Sequence, residues 1–289
     1  MTTAASRLAI TRGLIVTADD FGSAMAINEA VERGYRDGIL TAASLMVGGE
    51  AASDAVERAY RMPGLGVGLH IVLTDGFPLL AADRVPGLVG RDGRFHNSML
   101  RTSLAIALSR PVRAQMRAEI MAQFAAFAAT GLPLDHVNAH KHFHLHPMIA
   151  SAIFDIGSAY GMRAVRVPLE PGSPLLLRCW AGFLSRRVRR RDLLANDQVV
   201  GLKWSGGFGR ARMRQAAGQL CPGLTEIYCH PATDDEFPGH CPGYRYRDEL
   251  ASLLDVDVAR ALSKADVRRG KFLDFASGGG DLDAGHMAA

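Results

Sequence analysis

Leu14-Ile15-Val16-Thr17-Ala18 is a short apolar run, rich in β-branched residues, that leads into the two carboxylates of Asp19-Asp20 and then Phe21-Gly22. An unbroken apolar run of this length fits a strand covered on both faces. A helix follows over 23–37, with Ser23 as its cap and Gly38 as its stop. Next come a strand over 39–47 ended by Gly48-Gly49, a helix over 51–61 closed by Pro63-Gly64, and a third strand over 67–72. Strand and helix alternate, the signature of a largely parallel sheet or a (β/α) barrel.

The rhythm continues with a long helix over 111–129, a strand around 136–138, a histidine cluster, a helix over 147–160 and a strand over 164–167. Residues 169–214 break it and read as an inserted lid. It resumes with a strand over 226–230, a helix over 247–263 and a last element over 271–275. No internal repeat is present. The expectation is one α/β domain over 14–276, a distorted or incomplete TIM-barrel-like (β/α) barrel. An N-terminal extension covers 1–13, and the glycine-rich tail 277–289 is expected to be disordered.

The bulk numbers narrow the function classes. The 289 residues are 48% hydrophobic, and 33 basic side chains face 29 acidic ones. A net charge of +4 gives no reason to expect nucleic acid. No run is long enough to span a membrane, and residues 1–20 lack the apolar core and cleavage site of a signal peptide. A cytoplasmic protein is expected, with Cys179, Cys221, Cys229 and Cys241 reduced and no CxxC pair among them.

Polar residues recur where strands are expected to end: Asp19 and Asp20, His70, His140 and His230. Active sites of barrels assemble at the C-terminal ends of different strands. Two histidines and a carboxylate from separate strands can hold a divalent ion and leave positions open for water and substrate. A second carboxylate beside the first can take a proton from that water. Each residue also has a plainer reading. Asp19-Asp20 suits a turn or cap, and His70 between Leu69 and Ile71 suits a hydrogen-bonded core position. The run His140-Lys141-His142-Phe143-His144-Leu145-His146 is harder to explain that way. In an extended backbone its histidines share one face, and burying four without partners is costly. They cannot all be ligands of one ion bound by Asp20 and His70.

Thr17-Ala18-Asp19-Asp20-Phe21-Gly22, Val67-Gly68-Leu69-His70, the HxHxH run at His140, His142 and His144, and Cys229-His230-Pro231 occur in this order. That order resembles the YdjC-like carbohydrate deacetylases, which include chitooligosaccharide deacetylases, from about Leu14 to about Phe275. The longer form from His136 to Pro147 is most similar to the hopanoid-biosynthesis-associated (HpnK) members. Chitooligosaccharide members usually have Asp-Ser or Asp-Gly where this chain has Asn138-Ala139.

The resemblance implies a metal-dependent hydrolase that removes an acetyl group from an N-acetylamino sugar, such as an N-acetylglucosaminyl hopanoid or a chitooligosaccharide. It implies Asp20, His70 and His140 as ligands of one divalent metal ion, zinc or magnesium, which would acidify a water and polarise the acetyl carbonyl. Asp19 becomes the general base. His230 becomes the acid for the leaving amine or a stabiliser of the oxyanion. Arg166, His142 and His144 are placed at the substrate, Arg166 orienting either it or Asp19. A homodimer is compatible with the resemblance.

Other features stay open. Residues 175–191 join an apolar stretch to Arg186, Arg187, Arg189, Arg190 and Arg191, suiting either a lid helix with a solvated basic end or peripheral contact with an anionic membrane. Cys229, His230, His240 and Cys241 lack the spacing of a structural zinc site. Gly206-Gly207-Phe208-Gly209 lacks the Lys-Ser/Thr of a phosphate loop and reads as a lid loop. Two rival classes remain: a non-haem iron oxygenase, against which the α/β rhythm argues, and a non-catalytic metal-dependent sugar or lipid binder.

Overall fold

The computed structural model describes residues 12–276, so most of the extension 1–13 and all of the tail 277–289 lie outside the described residues. The opening run forms β1 (Arg12–Phe21), in which Leu14, Ile15 and Val16 are fully buried. It lies mid-sheet because it is apolar on both faces. The chain continues through α1 (Met25–Arg36), β2 (Ala42–Leu45), α2 (Ala52–Tyr60) and β3 (Gly66–Ile71). The long β3–β4 connection holds α3 (Met99–Leu108) and α4 (Arg110–Ala129), ahead of β4 (Val137–Ala139) and α5 (Pro147–Ala159). The remainder comprises α6 (Leu175–Arg189), β5 (Gln198–Val200), α7 (Arg210–Gly218), β6 (Gly223–Cys229), α8 (Tyr246–Leu253), α9 (Val256–Lys264), β7 (Arg268–Arg269) and α10 (Phe272–Ala276).

The strand order is β4-β3-β2-β1-β6-β5, with β7 added beside the start of β1, and the pairings are parallel. The sheet curls toward a ring, and residues 164–169 span the gap between its edges. Val165 bridges Val137 of β4, Ala164 bridges Leu194, and Val199 of β5 donates its N–H to the Leu169 carbonyl. Asn196 supplies what a strand backbone would: its side-chain amide bonds both the N–H and the carbonyl of Val167, each at 2.7 Å. The stretch 164–167, expected as a strand, is therefore the seam of the barrel. Residues 169–214, expected as a lid, contain α6 but also supply the edge strand β5.

Two layers fill the barrel, and both follow from the period-two alternation of strands. Ile15, Ala42, Ala164, Leu194 and Leu224 pack with Phe272 and Phe275 of α10 as an apolar plug at the N-terminal end. Two residues further along their strands stand Thr17, Ser44, Arg166 and Glu226, joined by His70 and Asn138, all buried and all polar. The larger apolar cluster lies outside the sheet, under the helices.

Gly68 marks a close approach between β3 and the residue preceding β4. A Cβ there would sit 2.5 Å from the His136 ring, which is itself fixed by Asp135 at 2.9 Å and stacked on Phe272 at 4.4 Å. Gly68→Ala is expected to lower stability by about 1–3 kcal/mol through overpacking, read from the urea midpoint. Adding His136→Ala should recover part of that loss, and strictly additive losses would refute the contact as its cause.

Candidate metal centre and active site

A regular strand would send Asp19 and Asp20 to opposite faces. β1 avoids this with a bulge: its pairing with β2 runs Ala18↔Ala43 and then Phe21↔Leu45, and Asp20 takes a left-handed φ of 62°. Asp is among the residues that tolerate this conformation best. The Ser23 N–H and hydroxyl both donate to the Asp20 carbonyl, at 3.0 and 2.7 Å, and lock the turn. Ser23 is thus not the cap of α1: its hydroxyl is committed to Asp20, and Ala24, which has no polar side chain, holds the cap position without a side-chain bond.

The bulge brings Asp20 Oδ1 to 3.2 Å from His70 Nε2 and 3.2 Å from His140 Nδ1, the two ring nitrogens being 3.4 Å apart. One donor atom from each lies within 4.8 Å of the others, the sole such metal-capable grouping among the described residues. The Cys229, His230, His240 and Cys241 set is not brought together in this way. Burial opposes charge on both Asp20 and His140. Their mutual pairing outweighs it, holding the Asp20 carboxyl well below its usual range and raising the His140 imidazole.

The donor set passes a test of fit to a divalent ion. The Asn138 amide nitrogen donates to Ser44 Oγ at 2.9 Å and Asp19 Oδ1 at 3.2 Å. Its carbonyl oxygen therefore faces His70 Nδ1 at 2.7 Å and must accept the proton carried there. That tautomer leaves the Nε2 lone pair aimed at Asp20 and His140, as a ligand histidine requires.

Asp19 is enclosed beside this cluster. Arg166 holds both its oxygens, Nη1 to Oδ2 at 2.5 Å and Nη2 to Oδ1 at 2.9 Å, while Ser44 Oγ donates to Oδ1 at 2.6 Å. Burial disfavours the Asp19 charge, but Arg166, the neighbouring histidines and these bonds keep the carboxyl far below its usual range. Arg166 also reaches Glu226 Oε1, from Nε at 3.0 Å and from Nη2 at 2.7 Å, and Thr17 Oγ1 donates to the same oxygen at 2.7 Å. The guanidinium lies 4.7 Å over the Tyr228 ring. Arg166 is fully buried, so it is out of a substrate's reach and orients Asp19 instead.

The histidine run is not extended. Lys141 and His142 are left-handed, at φ 51° and 54°, within a 3-10 segment over His140–Leu145, which scatters the rings. His140 alone joins the metal grouping. His142 Nε2 lies 3.1 Å from the Tyr228 hydroxyl. His144, 1% exposed, directs Nε2 at the Arg166 carbonyl at 3.0 Å and is likewise sealed from substrate. His230 follows β6 on the open side, edge-on to Tyr228 and Tyr244, with its Nδ1 unpartnered among the described residues. Its backbone N–H donates to Glu249 Oε2 at 2.5 Å, and Glu249 Oε1 accepts from the Phe208 N–H at 3.0 Å.

Sequence reasoning missed Ser44, Asn138 as a network residue, Glu226, Glu249 and Asp75, whose carboxylate pairs with Lys141 and lies 3.9 Å from His140 Nε2. A signal existed for Glu226. Once His230 is placed at the site, alternation along β6 turns Tyr228 and Glu226 toward the same interior.

Two outcomes are expected. Arg166→Met leaves two buried carboxylates unpaired and should lower stability by about 3–5 kcal/mol in urea denaturation. His144 is neutral in the folded protein, its pKa lowered by burial to about 3. Between the ordinary imidazole value and that figure the unfolded chain binds a proton that the native state refuses. This part of the stability is complete above about pH 6.5 and falls by about 1.4 kcal/mol per pH unit on acidification below it. His144→Gln should flatten the dependence of the urea midpoint between pH 6.5 and 4.5; an unchanged slope would contradict it.

Comparison with known proteins identifies the family. The sequence pattern of the family described as YdjC-like protein matches residues 13–264. A carbohydrate deacetylase of Geobacillus stearothermophilus is 30% identical, over 91% of this chain and 98% of that protein. A chitooligosaccharide deacetylase of Salmonella dublin is 27% identical, over 91% and 99%. A crystal structure from Enterococcus faecalis V583, of a protein named for a proposed role in cellobiose-phosphate cleavage, shares the fold with a TM-score of 0.76 at 20% identity, covering 91% of this chain and 98% of that one. The chain belongs to the YdjC-like family.

Proposed function

We propose that this protein is a metal-dependent hydrolase that removes the acetyl group from an N-acetylamino sugar. The observation that carries the reading is the convergence of Asp20, His70 and His140, with His70 held in its ligand tautomer, beside a second carboxylate kept ionised. The names of the family relatives, carbohydrate and chitooligosaccharide deacetylase, agree with it. Two imidazoles and one carboxylate suit zinc better than magnesium, which prefers an all-oxygen shell. A divalent ion bound there would polarise the acetyl carbonyl and acidify a water.

The chain's own residues supply the rest. Asp19 is ionised at neutral pH and is the acceptor of the water's proton. Its four hydrogen bonds fix its position but lower its basicity, so it depends on a water that has already been acidified. His230, beside Asp19 at the end of the β1–β6 pairing, protonates the departing amine nitrogen as the C–N bond breaks, giving acetate and a free amino sugar. Tyr244, half-buried and edge-on to His230, offers an aromatic surface to a pyranose on this side. Among such sugars, an N-acetylglucosaminyl hopanoid is the leading substrate, on the resemblance of residues 136–147, and a chitooligosaccharide is the alternative. The parallel barrel separates this reading from the oxygenase class, and a base and an acid flanking the ligands favour catalysis over binding alone.

The test is acetate release from N-acetylglucosaminyl bacteriohopanetriol and from diacetylchitobiose, each with and without EDTA. Release abolished by the chelator and restored by zinc is expected. Asp19→Asn should lower kcat by about 10²–10⁴-fold. Full activity in EDTA, or in the Asp19→Asn protein, would overturn the mechanism.

A further inference from the structure

Large exposed apolar side chains concentrate on two helices. Leu100, Leu104 and Leu108 form one row along α3, the last 82% exposed. Leu175, Leu176, Trp180 and Phe183 lie exposed along α6, the first at 73%. Leaving leucines in water at this density on a folded protein signals an interaction surface.

Both helices lie in connections that leave the site end of the sheet. α3 lies in the connection that leaves the end of β3, where His70 stands, and α6 begins a few residues after Arg166. Both are tied to the start of α5, which follows the histidine run directly. Arg113 bonds the Ile106 and Ala107 carbonyls at the end of α3, at 3.0 and 2.7 Å, and lies 3.8 Å from Met148 Sδ of α5. Arg187 of α6 bonds the Pro147 carbonyl at 3.2 Å and Ser151 Oγ at 2.6 Å.

Charge identifies the occupant. Along one side of α6, Leu175, Cys179 and Phe183 are followed by Arg186 and Arg190. The helix has no acidic residue. Arg189 is paired with Asp197, but Arg178, Arg186 and Arg190 are exposed and make no ion pair among the described residues. A second copy of the chain docked through this face in a two-fold dimer would set these arginines against themselves. A phospholipid surface with anionic headgroups would satisfy both the apolar row and the charge.

We infer that α3 and α6 form a docking surface for an anionic membrane, seating the mouth of the site at the lipid boundary. No helix among the described residues is long and apolar enough to cross a membrane, so the contact is peripheral. The inference does not require the deacetylase reading. Where both hold, the surface delivers the site to an amino sugar carried on a lipid.

Flotation of the full chain with phosphatidylcholine vesicles, with and without phosphatidylglycerol, tests it. Binding is expected only with the anionic lipid, weakening as salt is raised. Trp180→Ser/Phe183→Ser should abolish it, Leu104→Asp should weaken it, and each arginine changed in Arg186→Gln/Arg190→Gln should cost roughly fivefold in partitioning. Unchanged circular dichroism and melting would establish that the variants fold. Trp180 and Trp204 are the chain's two tryptophans, and a fluorescence blue shift on binding should vanish in Trp180→Phe. Equal binding to neutral vesicles, no binding to either, or a dimer in light scattering that the Trp180→Ser/Phe183→Ser change splits would overturn the inference. Failure to release acetate from a water-soluble sugar would leave it standing, and absent vesicle binding would leave the deacetylase reading standing.

Discussion

One guanidinium holds the centre of this barrel. Arg166 is fully buried and placed between Asp19 and Glu226, with four nitrogen-to-oxygen contacts of 3.0 Å or less. Removing these charges from water is costly, and a well-packed apolar layer would serve stability as well or better. The layer beneath shows that the fold can build one from Ile15, Ala42, Leu224 and Phe272. What the polar layer supplies is a carboxylate of fixed charge and orientation beside the candidate metal ligands. Glu226 is part of this arrangement because it receives Nε, the one donor of Arg166 pointing away from Asp19, and so fixes the rotation of the fork.

The same layer joins the two halves of the site. Asn138 accepts from His70 and donates to Asp19, so the tautomer of a candidate metal ligand and the position of the proposed base depend on one amide. The bulge at Asp20 completes the link from the other side. The chain spends one residue in a left-handed conformation to aim adjacent carboxylates at a common space. Strain at such a position persists only when the surroundings over-determine it, and here both donors of Ser23 do so.

Much of this was legible in the sequence. Alternating strands and helices gave the parallel barrel, and polar residues at strand ends singled out Asp20, His70 and His140, which the fold brings together with Asp19 beside them. Two kinds of information were hidden. The first was backbone conformation: alternate histidines suggest a shared face, but the left-handed Lys141 and His142 turn them apart, and nothing in either residue type announces that. The second was long-range pairing. Glu226, Ser44 and Asn138 are polar residues in largely apolar strands, and only the curled sheet reveals that they meet. The seam was hidden for the same reason, since a lone side chain, Asn196, replaces backbone pairing where the sheet would close.

Asn138 also bears on substrate choice. It is the position at which this chain departs from the Asp usual in chitooligosaccharide-type sequences, yet it is fully buried and faces only protein groups. An aspartate there could still accept from His70 but could donate nothing to Asp19 or Ser44, and it would add a negative charge to a layer that already holds Asp19 and Glu226 against a single arginine. The departure therefore acts on the electrostatics of the base rather than on the shape of the sugar pocket. In the proposed reaction, discrimination among glycans would fall to side chains that reach solvent, such as His230 and Tyr244. The apolar faces of α3 and α6 bear on where the substrate resides, a separate property from which sugar it carries.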